Sequence, residues 1–252
     1  MRNVCLSMKR RSNVDLTTSP RLNDTERFEK ARTVLMREKE KNMKVLLVNG
    51  SPHPHGCTDT ALNEISDTLI VEGVETEHFW IGNKPLAGCM GCNGCAKTGR
   101  CVFNDSVNEF LDKAPEADGF IFGSPVHYAA ASGAMTCFMD RVFFADLRGK
   151  RNSFYLKPAA AIVSARRAGT TAALDQMNKY FLHAQMPVIP SRYWNMVHGG
   201  TSEQVRQDEE GMQIMRTLAR NMVWFLNCKV AGIKSGVPFP KREERISTNF
   251  IR

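Results

Sequence analysis

The stretch KVLLVNGSPHPHGCTDT, residues 44–60, decides the fold. KVLLV is a short, continuous apolar run, as expected for a strand covered on both faces. It ends in a Gly/Ser/Pro turn, and a helix begins near Thr58. In that order the three pieces form a phosphate cradle. Ser and Thr hydroxyls, backbone N–H groups and the positive helix end can all face one anion. The turn is neither G-x-G-x-x-G nor a loop ending in G-K-[ST], which argues against a dinucleotide fold and an NTPase. A structural turn with a helix cap fits the same residues, so the loop alone leaves both readings open.

Outward from this stretch, strands and helices alternate. Ala61, Leu62, Ile65, Leu69 and Ile70 fall at helical spacing, and VETEHFWI (74–81) reads as a second strand. Asp105 to Ala114 is a short helix and GFIFG (119–123) a third strand. Ala134, Met135, Phe138, Met139, Val142 and Phe143 form one helical stripe, followed by a fourth strand, AAAIV (159–163). A helix over Thr171–His183, a fifth strand PVIP (187–190) and a long helix from Glu203 to Cys228 complete the pattern. The last helix carries Met212, Met215, Ala219, Met222 and Leu226 on one face, and such Met and Phe stripes are core packing. The alternation implies an α/β fold with a parallel sheet and helices on both faces. Ligands on such sheets sit beyond the strand C-termini, near the point where strand order reverses.

Two further loops leave that edge. GSPVHYAAASGAM (123–135) follows strand three and SARRAGT (164–170) follows strand four. Their small residues allow close backbone approach, and His127 or Tyr128 can flank a flat ring. After strand two comes GCMGCNGCAKTGRC (88–101), with thiols at Cys89, Cys92, Cys95 and Cys101. C-x2-C-x2-C is a compact three-point grip for an iron–sulfur cluster, whereas zinc more often uses two separated C-x2-C hooks. A redox thiol loop remains the alternative. Cys5, Cys57, Cys137 and Cys228 are scattered and read as free or buried thiols.

The quoted strand ends, MKVLLVNGSPHPHGCTDTAL, ADGFIFGSPVHYAAASGAMTCFMDR and IVSARRAGTT, resemble the NADPH-dependent FMN reductase branch of the flavodoxin-like superfamily. The cysteine spacing C-x2-C-x2-C-x5-C is similar to that of its iron–sulfur flavoprotein members. The resemblance runs from Met43 to the closing STNFIR. It implies a flavodoxin-like five-stranded parallel sheet in the order 2-1-3-4-5, non-covalent FMN, and a homodimer or homotetramer. It also implies an NAD(P)H-dependent oxidoreductase that reduces a small-molecule acceptor such as a flavin, quinone, nitro or azo compound.

Carried onto this chain, the resemblance puts Ser51, His53, Cys57 and Thr58 around the FMN phosphate. Pro125, Val126, His127 and Tyr128 would line the isoalloxazine ring, and Ser164, Arg166 and Gly169 would approach it from strand four. Cys89, Cys92, Cys95 and Cys101 would hold a 4Fe-4S cluster. His53 stands where relatives usually carry arginine, and Cys57 where asparagine is common. His127 and Ala129 replace a frequent aromatic and glycine. A second reading of the same residues is a ferredoxin-coupled electron carrier without a small-molecule substrate.

Charge bounds the partners. Of 34 Lys and Arg, residues 1–42 hold 11, and of 26 Asp and Glu they hold 6, leaving 23 against 20 for residues 43–252. That near balance, without a basic stripe interleaved with aromatics, argues against a nucleic-acid partner. Residues 1–42 read as a basic extension, flexible or partly helical, and either native or read through from an earlier start codon. Residues 43–252 read as the FMN-binding domain, with 229–252 as its C-terminal tail. No apolar run approaches a membrane span and no secretory h-region opens the chain, so no membrane partner is expected and a reducing cytoplasm is the expected location. There, clustered thiols favour metal or redox chemistry over disulfides.

Overall fold

A computed structural model describes residues 43–243 together with Ile246, Thr248 and Phe250; the expected N-terminal extension lies outside them. Strand β1 (Lys44–Asn49) lies between β2 (Glu75–Trp80) and β3 (Gly119–His127), parallel to both. Strand β3 also pairs with a two-residue strand β4 (Ala130–Ala131) and with β5 (Ala159–Ala165), and β6 (Met196–His198) closes the edge. The parallel order β2-β1-β3-β5-β6 is the expected flavodoxin-like arrangement. Among the described residues there are six strands rather than five, because β3 runs on to His127 and folds back antiparallel into β4. Tyr128 and Ala129 make that turn with φ of +50° and +58°, the left-handed pair that suits a tight hairpin.

The fifth parallel strand is Met196–His198, not PVIP. Pro187 and Pro190 bring no N–H to a ladder, so this stretch makes only an isolated bridge, Val188 to Ala159. Pairing resumes where Met196 meets Val163.

The helices are α1 (Cys57–Val71), α2 (Cys95–Thr98), α3 (Ser106–Lys113), α4 (Gly133–Arg148), α5 (Thr170–His183), α6 (Ser202–Gln207) and α7 (Glu209–Lys234). The expected single helix from Glu203 to Cys228 is therefore two, and the second runs on to Lys234. Asp208 makes the break. Its carboxylate accepts the Gly211 N–H at 2.9 Å as the N-cap of α7, and the His198 N–H at 2.6 Å.

Strand side chains alternate between two cores. Leu46 and Val48 face a phenylalanine-rich layer that includes Phe110, Phe122, Phe138 and Phe181. Phe110 and Phe138 meet edge to face with centroids 5.2 Å apart, a packing that favours the aromatic quadrupoles. Val45 and Leu47 face α1 and α7, where Met215, Ala219 and Met222 are fully buried. The Met and Phe stripes are core, as expected. Ile70, assigned to the α1 stripe, is 56% exposed. With both faces filled, the strand C-terminal edge is where loops gather to form a site.

Candidate functional site

The first loop is wound by its own side chains. Asn49 Oδ1 accepts the Ser51 N–H at 2.9 Å, and Ser51 Oγ accepts the His53 N–H at 3.1 Å. Trp80 Nε1 donates to the Ser51 carbonyl at 2.8 Å, tying the loop to β2. Gly50 sits against β3 and α4: its N–H donates to the Gly123 carbonyl at 2.8 Å, and the Gly50 carbonyl accepts from Ser132 Oγ at 3.0 Å. A Cβ there would fall 2.4 Å from Met135 Cε and 3.0 Å from the Gly123 carbonyl oxygen, so any larger residue must displace Met135 and press on β3. Helix α1 then starts after Gly56 with no side chain capping its first turn. Unspent N–H groups at a helix start are what an anion needs.

Ser51, Thr58 and Ser164 are buried, and the Thr58 and Ser164 hydroxyls lie 2.8 Å apart, joining the first loop to the end of β5. His53 is exposed. Cys57 is half-buried and donates to the Gly199 carbonyl at 3.6 Å; burial pushes its thiol up, so it stays protonated. Pro125 and Val126 are half-buried at the end of β3, while His127 and Tyr128 are exposed. Gly169 has φ of +96°, and a Cβ there would lie 2.7 Å from Ala129 Cα and 3.0 Å from Val126 Cγ1. That contact brings the loops after β3 and β5 together. Arg166 is exposed beside them. The structure thus joins the buried hydroxyls of Thr58 and Ser164, buries Ser51 in the first loop, and places Val126 against Gly169. His53, His127, Tyr128 and Arg166 stand at the solvent side.

The cysteine loop is organised differently. Cys89 and Cys92 are exposed, Cys101 is half-buried, and Cys95 is buried at the start of α2. All four line one pocket, with Met90, Val102, Phe103 and Phe144 among its apolar walls. Gly91 and Asn93 take φ of +66° and +56°, which lets the chain turn between the thiols. Burial pushes the Cys95 thiol up, and the neighbouring Cys101, Cys89 and Cys92 add to the shift. Among the described residues, no three His, Cys, Asp or Glu side chains stand close enough together for a single metal ion.

Sequence reading missed the supports of this loop. Arg141 on α4 is buried, and its Nε and Nη2 each lie 3.2 Å from Cys101 Sγ. Asn108 on α3 clamps the Cys101 backbone, accepting its N–H at 2.8 Å and donating to its carbonyl at 2.9 Å. A signal existed: Phe138, Arg141 and Ala145 share one helical face, so the arginine is a charge on a buried stripe.

A separate hollow lined by Glu64, Arg192, Arg206 and Arg216 is not an anion site. Each arginine is already paired, with Glu210, Glu203 and Glu64 respectively taking Arg192, Arg206 and Arg216. No helix among the described residues is long and apolar enough to cross a membrane.

The family profile of the NADPH-dependent FMN reductases matches residues 43–201, a span that holds the cradle, both ring loops and the four cysteines. The chain belongs to the NADPH-dependent FMN reductase family. Membership makes it a flavoprotein oxidoreductase with FMN as cofactor. An iron–sulfur flavoprotein of Methanocaldococcus jannaschii is 33% identical over 71% of this chain and 95% of its own length. Another, of Methanosarcina thermophila, is 23% identical over 71% of this chain and 93% of its own. Among solved structures, RosB with a bound 8-demethyl-8-formylriboflavin-5'-phosphate intermediate superposes with a TM-score of 0.59 at 15% identity, covering 83% of this chain and 94% of that one. That last likeness concerns the fold alone.

Proposed function

We propose that this FMN reductase family member is an NAD(P)H-dependent oxidoreductase that holds FMN at the strand edge and a 4Fe-4S cluster in the cysteine pocket. The observation that carries the flavin part is the uncapped start of α1 beside buried Ser51, Thr58 and Ser164. Those hydroxyls and the first-turn N–H groups would hold the FMN phosphate by charge-assisted hydrogen bonds. Pro125, Val126 and Gly169 would offer a half-buried apolar wall to the ring. His127, Tyr128 and Arg166, at the solvent side, would meet the nicotinamide or the acceptor. When bound, FMN would supply the redox chemistry between a nicotinamide and an acceptor.

The cluster part rests on four thiols, at the C-x2-C-x2-C-x5-C spacing, that line one mostly apolar pocket. The exposure of Cys89 and Cys92 favours a second reading as well. In it a ferredoxin docks over the loop and the chain is an electron carrier.

Rapid mixing of anaerobic protein with NADPH or NADH, and separately with reduced ferredoxin, distinguishes the two. The oxidoreductase reading expects the visible flavin band to bleach within seconds on adding one of the nicotinamides. Bleaching by ferredoxin alone would leave the carrier reading.

A further inference from the structure

We propose that Arg141 is a positioning residue for the fourth thiolate: it holds Cys101 for the cluster and makes that cluster easier to reduce. The inference rests on the cluster reading above and adds a residue that no ligand spacing identifies. Arg141 lies in the middle of α4 on its buried face, and its guanidinium serves two partners at once. Nη1 and Nη2 reach Asp105 Oδ2 and Oδ1 at 2.7 and 2.9 Å, a bidentate pair. Nε and Nη2 reach Cys101 Sγ, both at 3.2 Å, and Nη1 also reaches the Ala87 carbonyl at 3.4 Å, just before the loop. The guanidinium carbon stands 4.8 Å from the Phe103 ring centroid, in cation–π range. Phe103 and Arg141 both line the pocket that the four cysteines share.

The chemistry follows from the donor set. A buried guanidinium needs an acceptor for each of its N–H groups, and the Asp105 carboxylate, which balances its charge, takes only the end of its fork. The remaining N–H groups face a sulfur, which accepts strongly only as a thiolate, its form when it ligates iron. Asn108 fixes the same residue through its backbone, so Cys101 is held at both ends. Cys89 and Cys92 have no comparable grip among the described contacts. One-electron reduction adds a negative charge to a cluster. N–H donors on a ligand sulfur, with a buried cation behind them, stabilise the reduced form and raise its potential.

The test uses full-length protein purified without oxygen. Arg141→Lys keeps the charge and the Asp105 pair but cannot serve both partners. Arg141→Met with Asp105→Asn removes both charges together, avoids an unpaired buried carboxylate and retains the Asp105 oxygen that caps α3 through the Val107 N–H. Cluster and flavin potentials are measured by spectroelectrochemistry, with iron counted per chain. The expected result in both variants is iron and FMN as in the wild type and an unshifted flavin potential. The cluster should become at least tenfold harder to reduce, which is 59 mV for a one-electron couple, with the smaller change in the lysine variant. Iron retained with an unchanged cluster potential in both variants would overturn the proposal and leave the cluster reading intact. Wild-type protein without iron would remove the cluster reading and this proposal with it.

Discussion

At the C-terminal edge of the sheet, the loops after β1, β3 and β5 leave buried strands and are tied to neighbouring strand ends and loops. Ser51 is tied to Trp80, Gly50 to Ser132, Thr58 to Ser164 and Gly169 to Val126. The cysteine loop instead leaves β2, the outermost strand of its side of the sheet, and only its second half is fastened. Cys95 is buried in α2 and Cys101 is gripped by Arg141 and Asn108, while Cys89 and Cys92 lie exposed. The difference separates two ways of building a cofactor site. A cradle made from strand ends has its shape before the ligand arrives. On the proposed cluster reading, a loop with two exposed thiols would gain its final order from the metal, and metal binding would add to its stability.

The largest break in this comparison is a ligand deletion. Cys92→Ala should abolish iron and sulfide together with the broad absorbance beneath the flavin bands, while FMN stays at wild-type stoichiometry. Loss of flavin along with iron would mean that the two sites are not independent.

On the flavin side, Gly50→Ala drives a methyl group into Met135 and the Gly123 carbonyl. Overpacking of this kind costs about 1–3 kcal/mol, read as a lower thermal midpoint and weaker FMN retention with iron content unchanged. A variant with wild-type flavin affinity would show that the loop is not rigid there.

Smaller still is the double change Ser51→Ala and Thr58→Ala. At about 1 kcal/mol for each lost hydrogen bond, FMN should dissociate on the order of 30-fold more readily. If flavin affinity were unaltered, the phosphate would lie elsewhere. Removing iron by chelation under reducing conditions should lower the thermal midpoint by only a few degrees and leave FMN bound. Cys137→Ala should change neither cofactor, since Cys137 is no part of the cysteine pocket. Iron loss in that variant would redraw the ligand set.

How much of this was legible in sequence depends on where the information lies. KVLLV and the small-residue turn after it are local signals, so β1 and its loop were readable, whereas the strand order came from the family resemblance. The β3–β4 hairpin was not, because Tyr128 and Ala129 are not residues that advertise a left-handed turn. PVIP looked like a strand by its apolar character, while its prolines carried the contrary message. The apolar stripe of the last helix lapses between Val205 and Met212, where Asp208 caps α7, so the break was legible there and was passed over. In the site, residue types were readable but partners were not. Thr58 meets Ser164, and Cys101 meets Arg141 and Asn108, only through tertiary packing. The Cys57 thiol likewise meets the Gly199 carbonyl, a partner 142 residues away that sequence position does not reveal.

The central claim is that one chain carries two sites, a preformed flavin cradle and a metal-dependent thiol pocket. The direct test is an ultraviolet–visible spectrum of protein purified without oxygen, with flavin, iron and sulfide counted per chain. The account predicts about one FMN and about four iron and four sulfide per chain, with a broad cluster absorbance under the flavin bands. FMN with negligible iron would contradict it and reduce residues 88–101 to a thiol loop beside a plain flavin reductase.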